Sequence, residues 1–178
     1  MTPQAVDNGR DGDLGDTRHG PTPLKPHRKI EATYRGAKAE DRDAILELLK
    51  EMHKEVSIYA IDEEKVVEKI DSIIGNGVCF LAVVDDEIVG SLGCEPCQTW
   101  YSGDVYLGER WTFVKEDFRR STIAKDLLKM VDDFSAKMDM VLVIGVFSPR
   151  HTAGKNALFR RTFKPMGEFF IGGKHNVL

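Results

Sequence analysis

The sequence predicts an α/β (α+β) fold, in which one mixed, mostly antiparallel sheet of about six to seven strands is flanked by about four helices. Two apolar runs, Val78 to Val84 and Met140 to Val146, have the composition of central strands buried on both faces. Amphipathic patterns with a helical period occur between the strand candidates. The resulting order is strand, two helices, three strands, helix, strand, helix, strand, which is typical of a sheet covered by helices.

Length and composition suit a single domain behind a terminal tail. The chain has 178 residues, of which 42% are hydrophobic and 30% charged, and chains of this size commonly form one domain. Residues 1–28 are rich in Gly, Pro and Asp and contain almost no large apolar side chain. Because such a segment buries too little surface to offset its ordering entropy, it is predicted to be a disordered tail. The folded domain is predicted to cover residues 29–178.

Charge and hydropathy argue against several classes of partner. The net charge of −4 and the pI near 5.8 disfavour a broad nucleic-acid-binding face and mildly favour cationic or amine-bearing partners. No apolar run approaches the roughly 18 residues of a membrane span. The N-terminus lacks the apolar core of a signal peptide. We therefore expect a cytoplasmic protein that binds neither membranes nor nucleic acid.

The first part of the predicted domain contains a strand and two helices. Residues 29–38 form a short strand candidate. Asp62 suits the N-cap of the second helix, and Gly75-Asn76-Gly77 ends it. The apolar faces of the two helices are Ile45, Leu48, Leu49, Met52 and Val56 in the first, and Val66, Val67, Ile70, Ile73 and Ile74 in the second.

The centre of the chain predicts a hairpin followed by a long strand. A turn at Asp85-Asp86-Glu87 joins the strand Val78 to Val84 to a second strand, Ile88 to Cys94. A polar loop from about Glu95 to Asp104 comes next. It leads into the strand Val105 to Val114.

The last part of the chain predicts a parallel crossover. A helix beyond Ser121 separates the strand Val105 to Val114 from the apolar strand Met140 to Val146. These two strands should be parallel neighbours joined by a right-handed connection. A short helix over residues 153–161 and a last strand over 167–173 follow. The apolar stripe of the crossover helix is Ile123, Leu127, Leu128, Val131 and Phe134.

The stretch FVKEDFRRSTIAKDLLKMV, residues 113–131, places two arginines before a helix that has no acid in its first residues. The first turn of a helix exposes about four unpartnered N–H groups and carries roughly half a positive charge, so it usually holds Asp or Glu. Here Arg119 and Arg120 precede small residues, which suits an external anion such as a pyrophosphate. The alternatives are that Ser121 caps the helix and that the arginines are solvated surface residues.

The three cysteines do not predict a metal site. Cys94-Glu95-Pro96-Cys97 is a lone CxxC motif, whereas a structural zinc site usually needs a second pair or histidines at matching spacing. Neither occurs nearby, so no metal is predicted. Cys79, Cys94 and Cys97 are expected to be reduced thiols.

The segment FVKEDFRRSTIAKDLL resembles the acetyl-coenzyme-A-binding motif of the GCN5-related N-acetyltransferases, the GNAT superfamily. That motif runs from a strand ending in Val into Arg/Gln-x-x-Gly-x-Gly/Ala. Here Arg119 takes the first position, Thr122 takes the first Gly and Ala124 takes the last. The Arg-Arg-Ser variant of the motif also resembles acetyltransferases from bacteriophage genomes.

The resemblance extends to both sides of the motif and covers roughly residues 31 to 172. VCFLAVVDDEIVGSLG is similar to the family's second and third strands with their acidic turn. LFRRTFKPMG is similar to the family's closing Leu-Tyr-x-x-x-Gly-Phe-x-x-x-Gly segment, shortened by one residue. The order of the elements also agrees with the family.

The resemblance implies an N-acetyltransferase that moves an acetyl group from acetyl-coenzyme A to a primary amine, without a metal. The amine would attack the thioester directly, and a backbone N–H would meet the oxyanion of the tetrahedral intermediate. The backbone of Thr112, Phe113 and Val114 would hold the pantetheine arm. The pyrophosphate would lie in the loop formed by Arg119, Arg120, Ser121, Thr122, Ile123 and Ala124.

Three positions depart from the family pattern. Thr122 replaces a glycine, so a positive φ there would be costly. Phe159 stands where the family often has a tyrosine that protonates the leaving thiolate. The asparagine that often opens the last helix is displaced, with Thr152 at its place and Asn156 four residues later.

Glu109 is the first candidate for the catalytic base. An amine near neutral pH is mostly ammonium, so a base should accept its proton directly or through water. Glu109 lies five residues before Val114, where related enzymes often carry a glutamate; the alternative is a solvent-facing residue paired with Arg110. Trp111 should share the strand face of Glu109 by alternation and would either wall the substrate pocket or pack in the core.

Further candidates lie in the loops and at the strand ends. His151 follows the strand on the other side of the cleft, and the near-neutral pKa of histidine suits proton transfer. Tyr106 could replace the missing tyrosine as an acid, or simply pack. Glu95 and Asp104 border the loop expected to cover the acceptor, and either attract a cationic amine or are ordinary loop residues. Arg160-Arg161 could reach the coenzyme phosphates, although a solvated helix face is favoured.

Two other functions stay open from the sequence. An enzyme of the same fold could use a longer acyl-coenzyme A. The altered family positions also fit a catalytically weak coenzyme-binding or assembly module. The acceptor, a small-molecule or peptide amine, is not identified, and because dimers are common in the family a homodimer is an option.

Overall fold

The structure is a computed structural model that describes residues 29–56, 59–146 and 152–167. Its strands are β1 (Thr33–Gly36), β2 (Val78–Val84), β3 (Glu87–Gln98), β4 (Val105–Val114) and β5 (Val141–Val143). Its helices are α1 (Arg42–Val56), α2 (Glu63–Asn76), α3 (Ile123–Lys137) and α4 (Thr152–Thr162). The order of these elements is the predicted one. The predicted tail lies outside the described residues, and so does nearly all of the predicted last strand.

The strands form one mixed sheet in the order β1-β2-β3-β4-β5. Neighbouring strands are antiparallel except for β4 and β5, which are parallel. The mixed, mostly antiparallel sheet and the parallel pair around α3 are therefore confirmed. Within the described ranges the sheet has five strands, fewer than the six to seven predicted. None of the helices in this part of the chain has the length and hydropathy needed to cross a bilayer.

The hairpin between β2 and β3 follows from its two-residue turn. Asp85 and Asp86 have φ values of 49° and 63°, the left-handed conformation that tight hairpin turns require and that Asp tolerates. β3 is longer than predicted, because Glu95 to Gln98 pair with β4 instead of forming a loop. The polar residues and Pro96 gave this segment the composition of a loop, yet its backbone continues the antiparallel pairing of β3 with β4.

Helices cover both faces of the sheet, and each face has its own core. α1 and α2 pack on one face, and α3 packs on the other together with α4. The α1/α2-side core contains Ile45, Leu49, Ile70, Ile73, Cys79, Leu81 and Trp111. The α3-side core contains Val78, Ala82, Val89, Leu92, Cys94, Leu107, Val114, Ile123, Leu127, Leu128 and Val131.

A β-bulge in β4 changes which face its side chains take. Gly93 of β3 pairs with Trp111, but the next residue, Cys94, pairs with Glu109, so β4 carries one extra residue at Arg110. Leu107 consequently belongs to the α3-side core, whereas Trp111 belongs to the α1/α2-side core. The prediction that Glu109 and Trp111 share a face is therefore wrong, because strict alternation does not survive an inserted residue.

Candidate active site

The site lies where β4 and β5 separate. β5 pairs with β4 only over Tyr106, Leu107 and Gly108, so the rest of that edge of β4 lies beyond the paired segment. Lys115 donates its amide to the Val89 carbonyl on β3. Because backbone groups point alternately to the two sides of a strand, Thr112 and Val114 direct theirs toward the opening.

Glu109 is held at this opening. Its carboxylate accepts a hydrogen bond of 2.8 Å from the Gly145 amide, just beyond β5. Burial raises the pKa of Glu109; hydrogen bonding with Thr112 and Gly145 and the charge of Lys155 oppose that rise without cancelling it. The Thr112 hydroxyl is buried beside the carboxylate but makes no well-formed hydrogen bond to any described group. The site therefore combines a carboxylate with an elevated pKa and a buried hydroxyl beside it.

A cavity of about 190 Å³ borders Glu109. Its walls are Tyr106, Gly108, Glu109, Arg110 and residues 143–145. A larger cavity, about 360 Å³, lies between the start of α1 and the β2–β3 turn and contains neither Glu109 nor the start of α3. Of these two cavities, the smaller one contains the candidate base.

Lys155 of α4 interacts electrostatically with Glu109. It is half-buried, and burial together with the charge of Arg119 lowers its pKa, while Glu55 and Glu109 partly offset that effect. Charged groups from both faces of the sheet thus act on one another here, since Glu55 is on α1 and Lys155 on α4. Neither residue was a sequence candidate. Lys155 is one helical turn before Phe159, a spacing that would have placed it on the same helix face.

The start of α3 keeps part of the predicted anion site. The Ser121 hydroxyl donates to the Phe118 carbonyl at 2.6 Å and accepts from the Ile123 amide at 3.2 Å. The predicted capping alternative is therefore correct for one amide. The amides of Ala124 and Lys125 have no acceptor among the described residues. They are the donors that an anion at this helix start would meet.

The replacement of a motif glycine by Thr122 causes no backbone strain. Thr122 has a φ of −83°, so the position does not need the conformation that glycine favours. The positive φ lies two residues earlier, at Arg120, with a value of 67°. Asp126 is also diverted from the helix start, because its carboxylate accepts a 2.7 Å hydrogen bond from Tyr34. Burial and this contact raise the pKa of Tyr34 to about 12.

The Arg119 side chain is bound inside the protein, so its place as a guanidinium flanking an anion stays a prediction that this position does not favour. Its Nε donates to the Val114 carbonyl at 2.8 Å, and a terminal nitrogen donates to the Glu55 carboxylate at 2.7 Å. The guanidinium also lies 5.1 Å from the centre of the Phe113 ring. Arg119 therefore ties the end of β4 to the end of α1. A direct phosphate contact by this side chain would require these bonds to break.

A double-mutant cycle tests this internal role. Arg119→Ala and Glu55→Ala are expected to show a coupling of about 1–2 kcal/mol in urea unfolding, because the pair is charge-assisted and only about a quarter exposed. The same cycle on Lys129 and Asp133, whose side chains are 68% and 55% exposed, should show no measurable coupling. If Arg119 instead served only phosphate binding, its cycle would give no coupling and coenzyme affinity alone would fall.

Two predicted substrate contacts are occupied within the protein. Trp111 is 5% exposed in the α1/α2-side core and donates to the Ser91 hydroxyl at 3.0 Å, so its part in a substrate pocket stays a prediction that this position does not favour. Glu95 forms ion pairs with Lys69 and Arg110. Burial raises the pKa of Glu95, but these two cations outweigh it and the net pKa is lowered. The charge of the Glu95 carboxylate is thus already paired within the protein. Arg110 pairs with Glu95 and not with Glu109.

The structure describes the positions of the other predicted site residues, with the exception of His151. Tyr106 lines the cavity that contains Glu109. His151 lies outside the described residues. Asp104 accepts a 2.7 Å hydrogen bond from Ser102 in the β3–β4 turn, and Arg160-Arg161 is exposed on α4. Phe159 packs against the α3-side core and brings no hydroxyl to the opening.

The cysteines are free thiols. Cys79 and Cys94 are buried and Cys97 is half-buried. Burial raises the pKa of both Cys79 and Cys94. Across the described segments, no group of three or more His, Cys, Asp or Glu side chains is placed to hold a metal ion.

Sequence comparison gives a family match over most of the chain. The profile of the Acetyltransferase (GNAT) family matches residues 42–163, a span that contains Glu109, the start of α3 and Lys155. No curated protein sequence matches the chain.

Solved structures share the fold. A predicted acetyltransferase with acetyl-CoA from Clostridium acetobutylicum has a TM-score of 0.66 and 12% identity, with 82% of this chain and 99% of that chain covered. Aminoglycoside N-acetyltransferase AAC(6')-Iy in complex with CoA has a TM-score of 0.63 and 16% identity, covering 83% and 97%. Ribosomal-protein-alanine N-acetyltransferase from Brucella melitensis biovar Abortus 2308 has a TM-score of 0.60 and 16% identity, covering 80% and 99%. At these identities the likeness concerns the fold alone, and the resemblance to bacteriophage enzymes gains no support.

Proposed function

The chain belongs to the acetyltransferase (GNAT) family, and from that premise we propose that it transfers an acetyl group from acetyl-coenzyme A to a primary amine, with Glu109 as the general base. The observation that carries the proposal is the placement of Glu109 at the separation of β4 and β5, beside a cavity and bonded to Gly145. Burial raises its pKa. A carboxylate whose pKa rises toward neutrality is better suited to accept a proton from an amine.

The residues around the opening fit acetyl-coenzyme A, which would supply an activated acetyl thioester. The backbone groups of Thr112 and the amide of Val114 face the opening and would bond the pantetheine amides. The free amides of Ala124 and Lys125 suit the pyrophosphate. Arg119 would contribute indirectly, because it holds the Val114 carbonyl and keeps the end of β4 in place.

The acceptor is proposed to be a small-molecule or peptide amine. Among proteins of this fold, one is named for aminoglycosides and one for ribosomal-protein alanine, so both kinds of amine are worth testing. The net charge of −4 favours a cationic acceptor. We place the reaction in the cytoplasm, without nucleic acid or membrane. A homodimer stays a prediction.

A thiol-release screen tests the proposal. Purified protein with acetyl-CoA should release coenzyme A thiol faster with at least one of four amines: neamine, spermidine, free lysine or an alanine-initiated peptide. Butyryl-CoA in the same screen tests the longer acyl donor.

Calorimetry with coenzyme A separates the alternatives. Binding with no turnover of any amine would favour a catalytically weak coenzyme-binding module, which the absence of a hydroxyl at Phe159 makes a specific alternative. If coenzyme A did not bind even at millimolar concentration, the reaction would have no acetyl donor. That result would overturn both the acetyltransferase and the coenzyme-binding module.

A further inference from the structure

Arg110 lines the same cavity as Glu109. Gly93 of β3 pairs with Trp111 and Cys94 pairs with Glu109, so Arg110 is the extra residue of the β-bulge. Bulges often redirect a side chain beside an active site. Arg110 and Glu109 are both in the wall of the cavity of about 190 Å³. Consecutive residues thus bring a cation and the candidate base to one cavity.

Two contacts fix the position of the Arg110 guanidinium. Its Nε donates to the Glu95 carboxylate, and one terminal nitrogen, Nη2, donates to the Cys97 sulfur at 3.0 Å. That sulfur lies over Gly108, because a β-carbon on this glycine would be only 2.8 Å from it. Gly108 is itself part of the cavity wall. The charged end of Arg110, and not its backbone alone, is therefore next to the cavity.

The ion pairs around Arg110 leave a net positive charge at this wall. The Glu95 carboxylate pairs with Arg110 and also with Lys69, so two cations share one anion. The second terminal nitrogen of Arg110, Nη1, has no acceptor within the described segments. A guanidinium has N–H donors on all three nitrogens. Arg110 can therefore donate to a further carboxylate without breaking either of its present contacts.

We propose that the acceptor is a small α-amino acid, whose carboxylate binds Arg110 while its amino group approaches Glu109. This inference rests on the proposed function and narrows it to one class of amine. The cavity volume of about 190 Å³ is below the roughly 300–1,000 Å³ of sites for drug-sized ligands, which favours a small acceptor. A cation and a base on consecutive residues match a molecule whose carboxylate and amine share one carbon.

The local charge at Arg110 decides the acceptor more than the charge of the whole chain does. The net charge of −4 favours a cationic acceptor, but exposed charges separated by more than about 8–10 Å are largely screened at physiological ionic strength. The anion that meets Arg110 is also distinct from the coenzyme phosphates. No described residue from the start of α3 lines this cavity.

Matched acceptors test the carboxylate directly. Alanine and alaninamide have nearly the same shape, but only alanine has a carboxylate, and lysine with lysinamide gives a second pair. Thiol release from acetyl-CoA is measured with each, at equal concentrations of unprotonated amine, because the amides are less basic. In the wild type kcat/KM should favour the acids by about five- to tenfold, a modest factor because the Arg110 side chain is 42% exposed.

Substitutions assign the preference to Arg110. Arg110→Gln should remove it by raising KM for the acids about five- to tenfold, since loss of uniform binding changes KM and not kcat. Arg110→Lys keeps the charge without the planar fork and should retain more of the preference than Arg110→Gln. Lys129→Gln, at a lysine that is 68% exposed on α3, removes the same charge elsewhere and should behave as wild type. Circular dichroism checks that each variant is folded.

Two further measurements leave Arg110 in place, so they test the inference even if Arg110→Gln does not fold. Glu95→Gln removes the carboxylate that pairs with Arg110, so the wall becomes more positive and the preference for acids should increase. Added sodium chloride should decrease the preference in the wild type, because salt screens a partly exposed charge pair.

Calorimetry gives a readout without turnover. With coenzyme A bound and no acetyl donor present, alanine should bind more tightly than alaninamide, and Arg110→Gln should remove the difference. The affinity for coenzyme A itself should stay close to the wild-type value in this variant. A large loss of coenzyme A affinity in Arg110→Gln, with the preference for acids intact, would mean that Arg110 serves the coenzyme and would overturn the inference.

The inference and the proposed function fail on different results. Active wild type with equal kcat/KM for acids and amides would overturn the inference and leave the proposed function intact, as would a full preference in Arg110→Gln. Failure of the wild type with every amine and donor would remove the proposed function. The calorimetric comparison then still decides the carboxylate site, because equal binding of alanine and alaninamide would exclude it.

Discussion

Glu109→Gln is expected to lower kcat at pH 7 by about 100-fold or more, because general-base catalysis typically contributes 10²–10⁴-fold. Glutamine can still accept the Gly145 amide through its side-chain oxygen, so the 2.8 Å contact is retained. The loss of rate should shrink at high pH, where the acceptor amine is already deprotonated. An unchanged pH profile of kcat/KM would eliminate Glu109 as the base.

The same substitution should increase stability at neutral pH. The pKa of Glu109 is raised by burial, so the folded protein retains that proton to a higher pH than the unfolded chain does. The associated stability is therefore complete below the unfolded pKa and is lost as the pH rises through the folded pKa. Glutamine does not titrate and avoids this loss. The free energy of unfolding of Glu109→Gln should exceed that of the wild type at pH 7, and the difference should decrease at acid pH.

Glu95→Gln is the matched control, with the opposite sign. Lys69 and Arg110 lower the pKa of Glu95 against the effect of its burial. Its stabilising contribution is present above the unfolded pKa and is lost as the pH falls through the folded pKa. Glu95→Gln should therefore destabilise the protein at pH 7, with the difference from wild type closing at acid pH. Urea unfolding at several pH values measures the free energy of unfolding of both variants. If Glu109→Gln and Glu95→Gln changed that free energy at pH 7 in the same direction, the opposite pKa shifts of Glu109 and Glu95 would be contradicted.

Gly93→Ala is expected to destabilise the fold by about 3 kcal/mol, at the upper end of the usual range for overpacking. A β-carbon at Gly93 would overlap the Trp111 ring. The ring cannot move aside easily, because it is buried and its Nε1 donates to Ser91 at 3.0 Å. For a domain of this size the midpoint of thermal unfolding should fall by roughly 6–12 °C.

Gly36→Ala is the control for this prediction. Gly36 also lies in a strand, but a β-carbon there would meet no atom within 4 Å, so the change should stay within about 0.5 kcal/mol. Calorimetric melting of both variants provides the comparison. Equal stability of Gly93→Ala and wild type would mean that Trp111 does not lie over β3 in solution, and the face reversal at the bulge would then be wrong.

Local patterns were sufficient for most of the secondary structure. Asp62 caps α2 by accepting the Lys65 amide at 3.1 Å, and the turn after β2 uses two aspartates in the left-handed conformation. The apolar run Val78–Val84 is a strand between two cores. These features depend on propensities and on hydrophobic burial within a few residues, so the sequence contains them directly.

The side-chain partners of the site could not be predicted in this way. Arg119 was expected to flank an anion, but it bonds Val114 and Glu55, the latter 64 positions away in the chain. Lys155 gave no signal of its own, because the group with which its charge interacts, Glu109, lies on β4 and far from it along the chain. A local pattern cannot specify such pairs, since they exist only after the sheet and helices have packed.

The sequence by itself determined the order of the elements, the buried strand Val78–Val84 and the family motif at the start of α3, because each depends on neighbouring residues. The prediction of a second buried central strand over Met140 to Val146 was wrong: the strand there is only Val141–Val143, at the edge of the described sheet, and Val141 and Val143 are exposed. Only the tertiary structure decided which face Glu109 and Trp111 take, since a single extra residue in β4 reverses the alternation. Only the packed fold leaves the amides of Ala124 and Lys125 without an acceptor among the described residues and bonds the Arg119 side chain to Glu55. Hydrogen bonds and charges act through space, so their partners are set by the packed fold and not by distance along the chain.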